Sequence, residues 1–196
     1  KTGYRQVNDN EIVTLASSHR SDEELLFPII EKLGQDFLFI IVPRHLSRLE
    51  EIETLLKKYR VPYSLWSKTA AENEKPAHNL IFDRMGYLFH ILKITDIVFM
   101  GGTLEQKIGG HNLYEPAVLG KYMIGGPFYN NFPDIGKELK EKGVYQVVNS
   151  PGECVNALLY WEKLNREELG QIARQAVSNR QGSVECTLKE IHRFIG

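Results

Sequence analysis

Short apolar runs alternate along the chain with stretches in which apolar residues return every three or four positions. The runs are Ile12–Ala16, "FLFIIVP" from Phe37, "VPYSLW" from Val61, "LIFD" from Leu80, "DIVFM" from Asp96, "KYMIGG" from Lys121 and "GVYQVV" from Gly143. Runs of this kind, bounded by turn residues, read as strands covered on both faces. Between the first two, "SDEELLFPIIEKLG" predicts a helix capped by Ser21, with Glu24 closing a capping box and Pro28 an internal cost. "LSRLEEIETLLKKY" predicts a second helix, opened by Ser47. Further helices are expected over 86–94 and 133–142, and 151–195 reads as helical with breaks near Asn165 and Gly182. The polar stretch "SKTAAENEKPAHN" from Ser67 reads as a loop. Strands alternating with amphipathic helices predict an α/β fold, a Rossmann-like open parallel sheet with helices on both faces.

In such a sheet, ligands sit beyond the carboxyl ends of the strands, so the residues delivered there are the candidates for function. The first strand ends in Ser17, Ser18 and His19, leading into a helix N-terminus whose unpaired N–H groups favour an anion. Ser18 or Ser21 serves equally well as a plain helix cap. The second strand delivers Arg44, a planar fork for phosphate or carboxylate, and His45. The fifth delivers the strongest signal, "GGTLEQKIGGHNLYEP". Its pairs Gly101-Gly102 and Gly109-Gly110 permit positive φ and let a ligand approach bare backbone. Asn112 or the peptide before it is placed to cap the next helix, and Glu115 projects from that helix's first turn beside Pro116. The carboxylate suits the helix dipole and equally suits the two hydroxyls of a pentose. Tyr87, Phe89, Trp161 and the "LLYW" stretch read as core.

Composition narrows this further. The 196 residues carry 24 Lys and Arg against 25 Asp and Glu, a net charge of −1, which disfavours a bulk grip on nucleic acid or anionic lipid. Cys154 and Cys186 are far apart and read as reduced, packing thiols. The six histidines, at 19, 45, 78, 90, 111 and 192, lack metal-ligand spacing, and His192 reads as a surface residue. No G-x-G-x-x-G follows the first strand and no P-loop is present. The longest apolar run is far short of the roughly 20 residues needed to span a bilayer.

"SSHRSDEE", "VPRH", "FDRMG", "GGTLEQKIGGHNLYEPAVLGK" and "GGPFYNNFPDI" resemble, in order and spacing, the C-terminal half of the Kdo transferases. The match runs from about Thr14 to Ile135. The resemblance implies a two-domain GT-B enzyme that transfers 3-deoxy-D-manno-oct-2-ulosonic acid (Kdo) from CMP-Kdo to a lipid A precursor, with no metal and no cofactor. Residues 1–10 then read as an interdomain linker remnant and 11–165 as the domain for the nucleotide-sugar donor. Residues 166–196 are expected as helices packing on that domain or on a missing N-terminal one. The resemblance places Ser17, Ser18, His19, Arg44 and His45 at phosphate or Kdo. It places Met85, Gly86, Gly101, Gly102, Thr103, Gly109, Gly110, His111, Asn112 and Glu115 at the nucleotide, with Glu115 on the ribose. It assigns the lipid acceptor, the carboxylate base and membrane contact to the N-terminal half, at the cytoplasmic face of a bacterial inner membrane. No nucleic-acid partner is implied. Two departures stand out: Tyr87 where the family commonly has an acidic residue, and a loop between the glycine pairs one residue longer. A UDP-sugar transferase, a UDP-N-acetylglucosamine 2-epimerase and a non-catalytic nucleotide-sugar module are the competing readings of the same glycines.

Overall fold

The computed structural model describes residues 11–34, 36–72 and 79–195. In chain order the elements are β1 (Glu11–Ser18), α1 (Arg20–Leu33), β2 (Phe37–Pro43), a 3-10 turn (Leu46–Arg48), α2 (Leu49–Lys58), β3 (Ser64–Leu65), α3 (Trp66–Glu72) and β4 (Leu80–Ile81). They continue with α4 (Leu88–Ile94), β5 (Ile97–Met100), α5 (Tyr114–Val118), β6 (Tyr122–Gly125), α6 (Pro133–Glu141), β7 (Tyr145–Val147), α7 (Pro151–Tyr160), a second 3-10 turn (Trp161–Lys163) and α8 (Arg166–Ile195). Among the described residues seven strands form one sheet in the order β3-β4-β2-β1-β5-β6-β7, every neighbouring pair parallel.

Apolar strands are what this arrangement demands, because both faces are covered. Val13, Leu15, Ile97, Phe99, Tyr122 and Ile124 pack on one side with Leu26, Ile30, Ile52, Leu56 and Leu158, the inner faces of α1, α2 and α7. The alternate residues Ala16, Val98, Met100 and Met123 pack on the other side with Leu92, Ala117, Ile135, Leu139 and Ala173, from α4, α5, α6 and α8. The period-2 switch of faces is that of a pleated strand. Cys154 is a buried free thiol in the first layer, its pKa pushed up to about 12 by burial, as suits a packing residue.

Several element boundaries differ from the sequence reading, each for a local reason. α1 is capped by His19, not Ser21, and Asp22, not Glu24, closes the box by accepting the His19 N–H at 2.9 Å. β1 stops abruptly, with Ser17 at φ 55° and a register irregularity between Ala16 and Ser18, so the helix starts one residue after the strand. Ser47 falls inside the 3-10 turn, and Arg48 is the residue that precedes α2. The stretch read as a loop begins as helix α3, because Asp83 accepts the backbone N–H of Ser67 at 2.9 Å and also its hydroxyl, a cap from sixteen residues away. α4 begins at Leu88, after Tyr87. The break near Asn165 is present, whereas α8 runs without interruption through Gly182. One interior glycine costs a helix only about 1 kcal/mol, which thirty residues absorb. Segments 1–10 and 73–78, with the side chains of Cys186 and His192, lie outside the described residues.

Candidate functional site: a cleft at the β1–β5 switch point

From β1 the chain builds outward through β2, β4 and β3 on one side, then returns to build β5, β6 and β7 on the other. The crevice beside β1, where the direction of building reverses, is where an open α/β sheet offers a ligand site. A cleft of about 710 Å³ opens there. Its walls are the end of β1 (Ala16, Ser17), the end of β2 (Val42 to Arg44), Met100 of β5, the turn before α4 (Arg84 to Gly86), and the segment opening α5 (Gly110 to Asn112, Glu115). Leu88, Phe89, Leu92, Pro116 and Phe132 supply apolar lining.

Of the residues singled out from sequence, the cleft brings together Ser17, Arg44, Met85, Gly86, Gly110, His111, Asn112 and Glu115. Asn112 orders the opening of α5. Its Oδ1 accepts the Tyr114 N–H at 3.0 Å, and its Nδ2 donates to Glu115 Oε1 at 3.0 Å. Glu115 is thereby held at the lip of the cleft, the single carboxylate among the described lining residues. Arg44 and Arg84 line the same cleft, exposed, and neither forms an ion pair among the described residues. Arg84 was not foreseen, and only its adjacency to Met85-Gly86 pointed toward it. Asn131 was missed as well. Its Nδ2 donates to the carbonyls of Ile108 and Gly110, both at 2.9 Å, and so fixes the turn that presents Gly110. It lies within the "GGPFYNNFPDI" string, but its partners sit 21 and 23 residues upstream.

The other sequence candidates serve the layer beneath. Ser18 is fully buried, with its hydroxyl donating to Glu23 Oε1 at 2.8 Å, so it does not face the cleft. Gly101 packs where β5 meets β1: a Cβ there would lie 2.2 Å from the Ser17 carbonyl oxygen, so the close approach it permits is to the protein's own backbone. The Gly102 N–H donates to Asp22 Oδ2 at 2.8 Å. Gly109 lies against the Asn131 amide. Thr103 is buried, donating to the Met100 carbonyl at 2.6 Å and accepting from the Gly126 N–H at 2.7 Å. Within the two glycine pairs, then, only Gly110 reaches the cleft wall.

Asp22 and Glu23, both 0% exposed, were also missed. In sequence they are an acidic first turn, which needs no more explanation than the helix dipole. In the fold they form a polar layer: Glu23 accepts both Arg48 Nη2 at 2.7 Å and Nη1 at 3.2 Å, while Asp22 binds the N–H groups of His19 and Gly102. Asp22 Oδ1 is buried without a partner, and burial pushes this carboxyl up to about 7 against the pull of its two backbone donors.

His19 and His45 stand beside the cleft rather than in its wall. His19 Nε2 lies 2.7 Å from His111 Nε2, and the His45 ring meets His19 edge-on at 6.2 Å. Desolvation, then the charges of Arg48 and His45, lower the His19 pKa; desolvation, then His19 and Arg44, lower that of His111 to about 4. The aromatic residues read as core divide. Trp161 is buried, but Tyr87 (48% exposed) and Phe89 (38%) stand out near the cleft mouth, and Leu159 and Tyr160 are exposed on α7. They follow loop or outer helix positions, which local periodicity did not separate from inner ones. Among the described residues there is no group of three or more His, Cys, Asp or Glu placed to hold a metal, and no helix long and apolar enough to cross a membrane.

No family model matches the chain. Individual relatives do. A 3-deoxy-D-manno-octulosonic acid transferase of Chlamydophila psittaci is 37% identical over 135 residues, covering 69% of this chain and 31% of the relative. The transferase of the same name from Haemophilus influenzae is 33% identical over 195 residues, 95% of this chain and 45% of the relative. The crystal structure of the C-terminal CMP-Kdo-binding domain of WaaA from Acinetobacter baumannii matches with a TM-score of 0.77 and 26% identity, covering 88% of this chain and 91% of that one. The chain thus spans less than half the length of these curated relatives and nearly the whole of the solved domain. By sequence and by fold, it belongs to the 3-deoxy-D-manno-octulosonic acid transferase family.

Proposed function

We infer that the chain is the donor-binding part of a metal-independent inverting glycosyltransferase, and that its cleft takes CMP-Kdo. The observation that carries this reading is the coexistence, at the β1–β5 switch point, of an anchored carboxylate with two guanidinium groups that form no ion pair among the described residues. Glu115 Oε1 is steadied by Asn112 and the carboxylate is available to two vicinal hydroxyls, as on a ribose. Arg44 and Arg84 supply charge-assisted donors for the phosphate and for the carboxylate of the sugar. The apolar lining of Leu88, Phe89 and Phe132 suits the faces of base and pentose. The names of the relatives, and the ligand named for the Acinetobacter baumannii domain, point to the same donor.

Transfer requires two things of the enzyme: stabilising the negative charge that develops on the departing phosphate, and removing a proton from the acceptor hydroxyl. Preorganised donors do the first, and removal of one such donor typically costs about 10²–10³ in rate. Arg44 and the segment opening α5 fill that role. For the second, Glu115 is occupied with the nucleotide, so the base and the lipid A precursor belong to the part of the longer relatives that this chain does not span. The same part would carry contact with the cytoplasmic face of the inner membrane.

Calorimetric titration with CMP tests the reading. Saturable binding is expected, weakened about tenfold or more by Glu115→Ala and by Arg44→Ala, since a hydrogen bond to a charged group contributes about 1.5–3 kcal/mol. Preference for UMP or UDP over CMP, or no response to CMP at millimolar concentration, overturns it.

A further inference from the structure

His19 and His111 are separated by 92 positions, yet their Nε2 atoms meet at 2.7 Å. The ring planes differ by 7° with centroids 5.0 Å apart. Taken with the short nitrogen contact, this makes the rings coplanar and end to end, not stacked face to face. At that distance two N–H groups repel, and two lone pairs hold nothing together. One nitrogen therefore donates and the other accepts, and the line between the rings carries one proton. We propose that His19 and His111 act as a single proton-sharing unit, which takes up one proton when a phosphate group in the cleft gains charge. The proposal rests on the cleft being a CMP-sugar site.

The proton count follows from the geometry. Two neutral imidazoles hold two ring protons, one of them on the shared line. A third proton goes to the remaining outward nitrogen and makes the pair a cation; at His19 it displaces the capping contact from the Asp22 N–H, which keeps its bond to the His19 carbonyl at 3.1 Å. A fourth would put two N–H groups against each other at 2.7 Å, so uptake stops at one. Burial first, and then the neighbouring charges, keep the pair neutral without an anion nearby. Arg44 and His45 face it from the end of β2 and Arg48 from the turn that follows, while Glu105, on the loop after β5, opposes them. The Asp22 carboxylate bonds the backbone N–H groups of His19 and Gly102, not the His19 ring. Anion binding in the cleft, which His111 lines, offsets the cationic side of that balance.

The chemistry of a nucleotide-sugar donor matches a one-proton device. Its phosphate is a diester with one negative charge. When the glycosyl C–O bond breaks, the electron pair stays on the phosphate oxygen and the departing CMP carries one charge more. The pair takes its proton from solvent and becomes the counter-charge to that oxygen, while the proton of the acceptor hydroxyl leaves separately to its own base. The pair would then hold product CMP more tightly below neutrality than above it.

The test is histidine ring ¹⁵N NMR of the whole chain, titrated between about pH 4.5 and 8.5, a range that brackets the ordinary histidine pKa, with and without saturating CMP. ³¹P shifts follow the nucleotide's own protonation, and His19→Asn and His111→Asn serve as controls. Without CMP, the two rings are expected to titrate as one coupled unit below the ordinary histidine range. With CMP, that transition should move up by about one unit or more, as a nearby opposite charge does. Calorimetry in buffers of different ionisation enthalpy should show CMP-linked proton uptake that either variant abolishes. Rings that titrate independently near about 6.5 overturn the proposal, as does CMP that binds without moving the transition. Coupled rings with no CMP binding at all would instead mark failure of the nucleotide reading, and the ligand-linked step would fall with it. The wild-type titration is decisive by itself, so a variant that fails to fold does not weaken the test.

Discussion

Arg44 and Arg48 lie four residues apart and are used in opposite ways. Arg44 stands exposed in the cleft wall with no ion-pair partner among the described residues. Arg48 is clamped by the buried Glu23 through two hydrogen bonds and by Glu51 through a third at 3.0 Å. The serines repeat the contrast, since Ser17 lines the cleft and Ser18 is turned down onto Glu23. So do the carboxylates: Glu115 keeps acceptor capacity at the lip, while Asp22 and Glu23 are sealed beneath. Polar groups of the lower layer are buried and nearly all paired, as folding requires. Those of the upper layer keep donors and acceptors open to the cleft, as binding requires. Substitutions in the two layers should therefore separate stability from affinity.

The largest effect is expected from Glu23→Ala. It leaves the Arg48 guanidinium without its buried partner and the Ser18 hydroxyl without an acceptor. Breaking a buried ion pair from one side typically costs about 3–5 kcal/mol, and Arg48's partial exposure puts the expectation at the lower end, about 3 kcal/mol. Urea denaturation measures it. A loss under about 1 kcal/mol would mean that the lower layer is as dispensable to folding as the cleft wall.

A second effect has a sign that pH reveals. Asp22 titrates at about 7 in the folded protein and near the ordinary carboxyl value of about 4 when unfolded. The folded state therefore holds the proton more tightly between these values. Stability from this group is highest below about pH 4, declines as pH rises, and levels off above about 7. Asp22→Asn stays uncharged throughout, so its stability relative to wild type should rise by about 2 kcal/mol or more from about pH 5 to pH 8. The histidine pair, with lowered pKa values, contributes the opposite slope to both proteins and cancels in the difference. A difference that is flat with pH would show Asp22 to be ionised in the fold.

The two layers were not equally legible in the sequence. The central strands announced themselves because a parallel sheet covered on both faces selects uninterrupted apolar runs such as "FLFII". Arg44 was legible because it follows directly on a strand, and Asn112 and Glu115 because they open a helix, both local signals, whereas His111 came only with the family resemblance. The lower layer was not, because it is made by pairings over distance. The bond from Gly102 to Asp22 spans 80 residues, and the clamp of Arg48 on Glu23 spans 25. The same blindness hid the Asp83 cap of α3 and the Asn131 clasp on Gly110. Glycine was the ambiguous letter. Gly101 and Gly110 read alike in sequence, yet one admits a neighbouring strand and the other fronts the cleft.

The smallest effect sharpens the upper layer. Arg84 lines the cleft from the turn before α4, and its neighbour Asp83 is committed to Ser67, so no local carboxylate competes for the guanidinium. Toward CMP, which lacks the sugar carboxylate, Arg84 is expected to act only as a solvent-screened charge, by about 0.2–1 kcal/mol. Arg84→Ala should therefore weaken CMP by about fivefold at most, less than Arg44→Ala, and the loss should shrink at high salt. Its stability to denaturant should match wild type to within about 0.5 kcal/mol, as for most surface substitutions. Comparing CMP with a CMP-ulosonate such as CMP-N-acetylneuraminate locates the charge that Arg84 serves. A loss confined to the sugar nucleotide assigns it to the sugar carboxylate, and an equal loss for both assigns it to the phosphate. An Arg84→Ala protein that binds as before but unfolds earlier would move Arg84 into the lower layer and erase the division between the two.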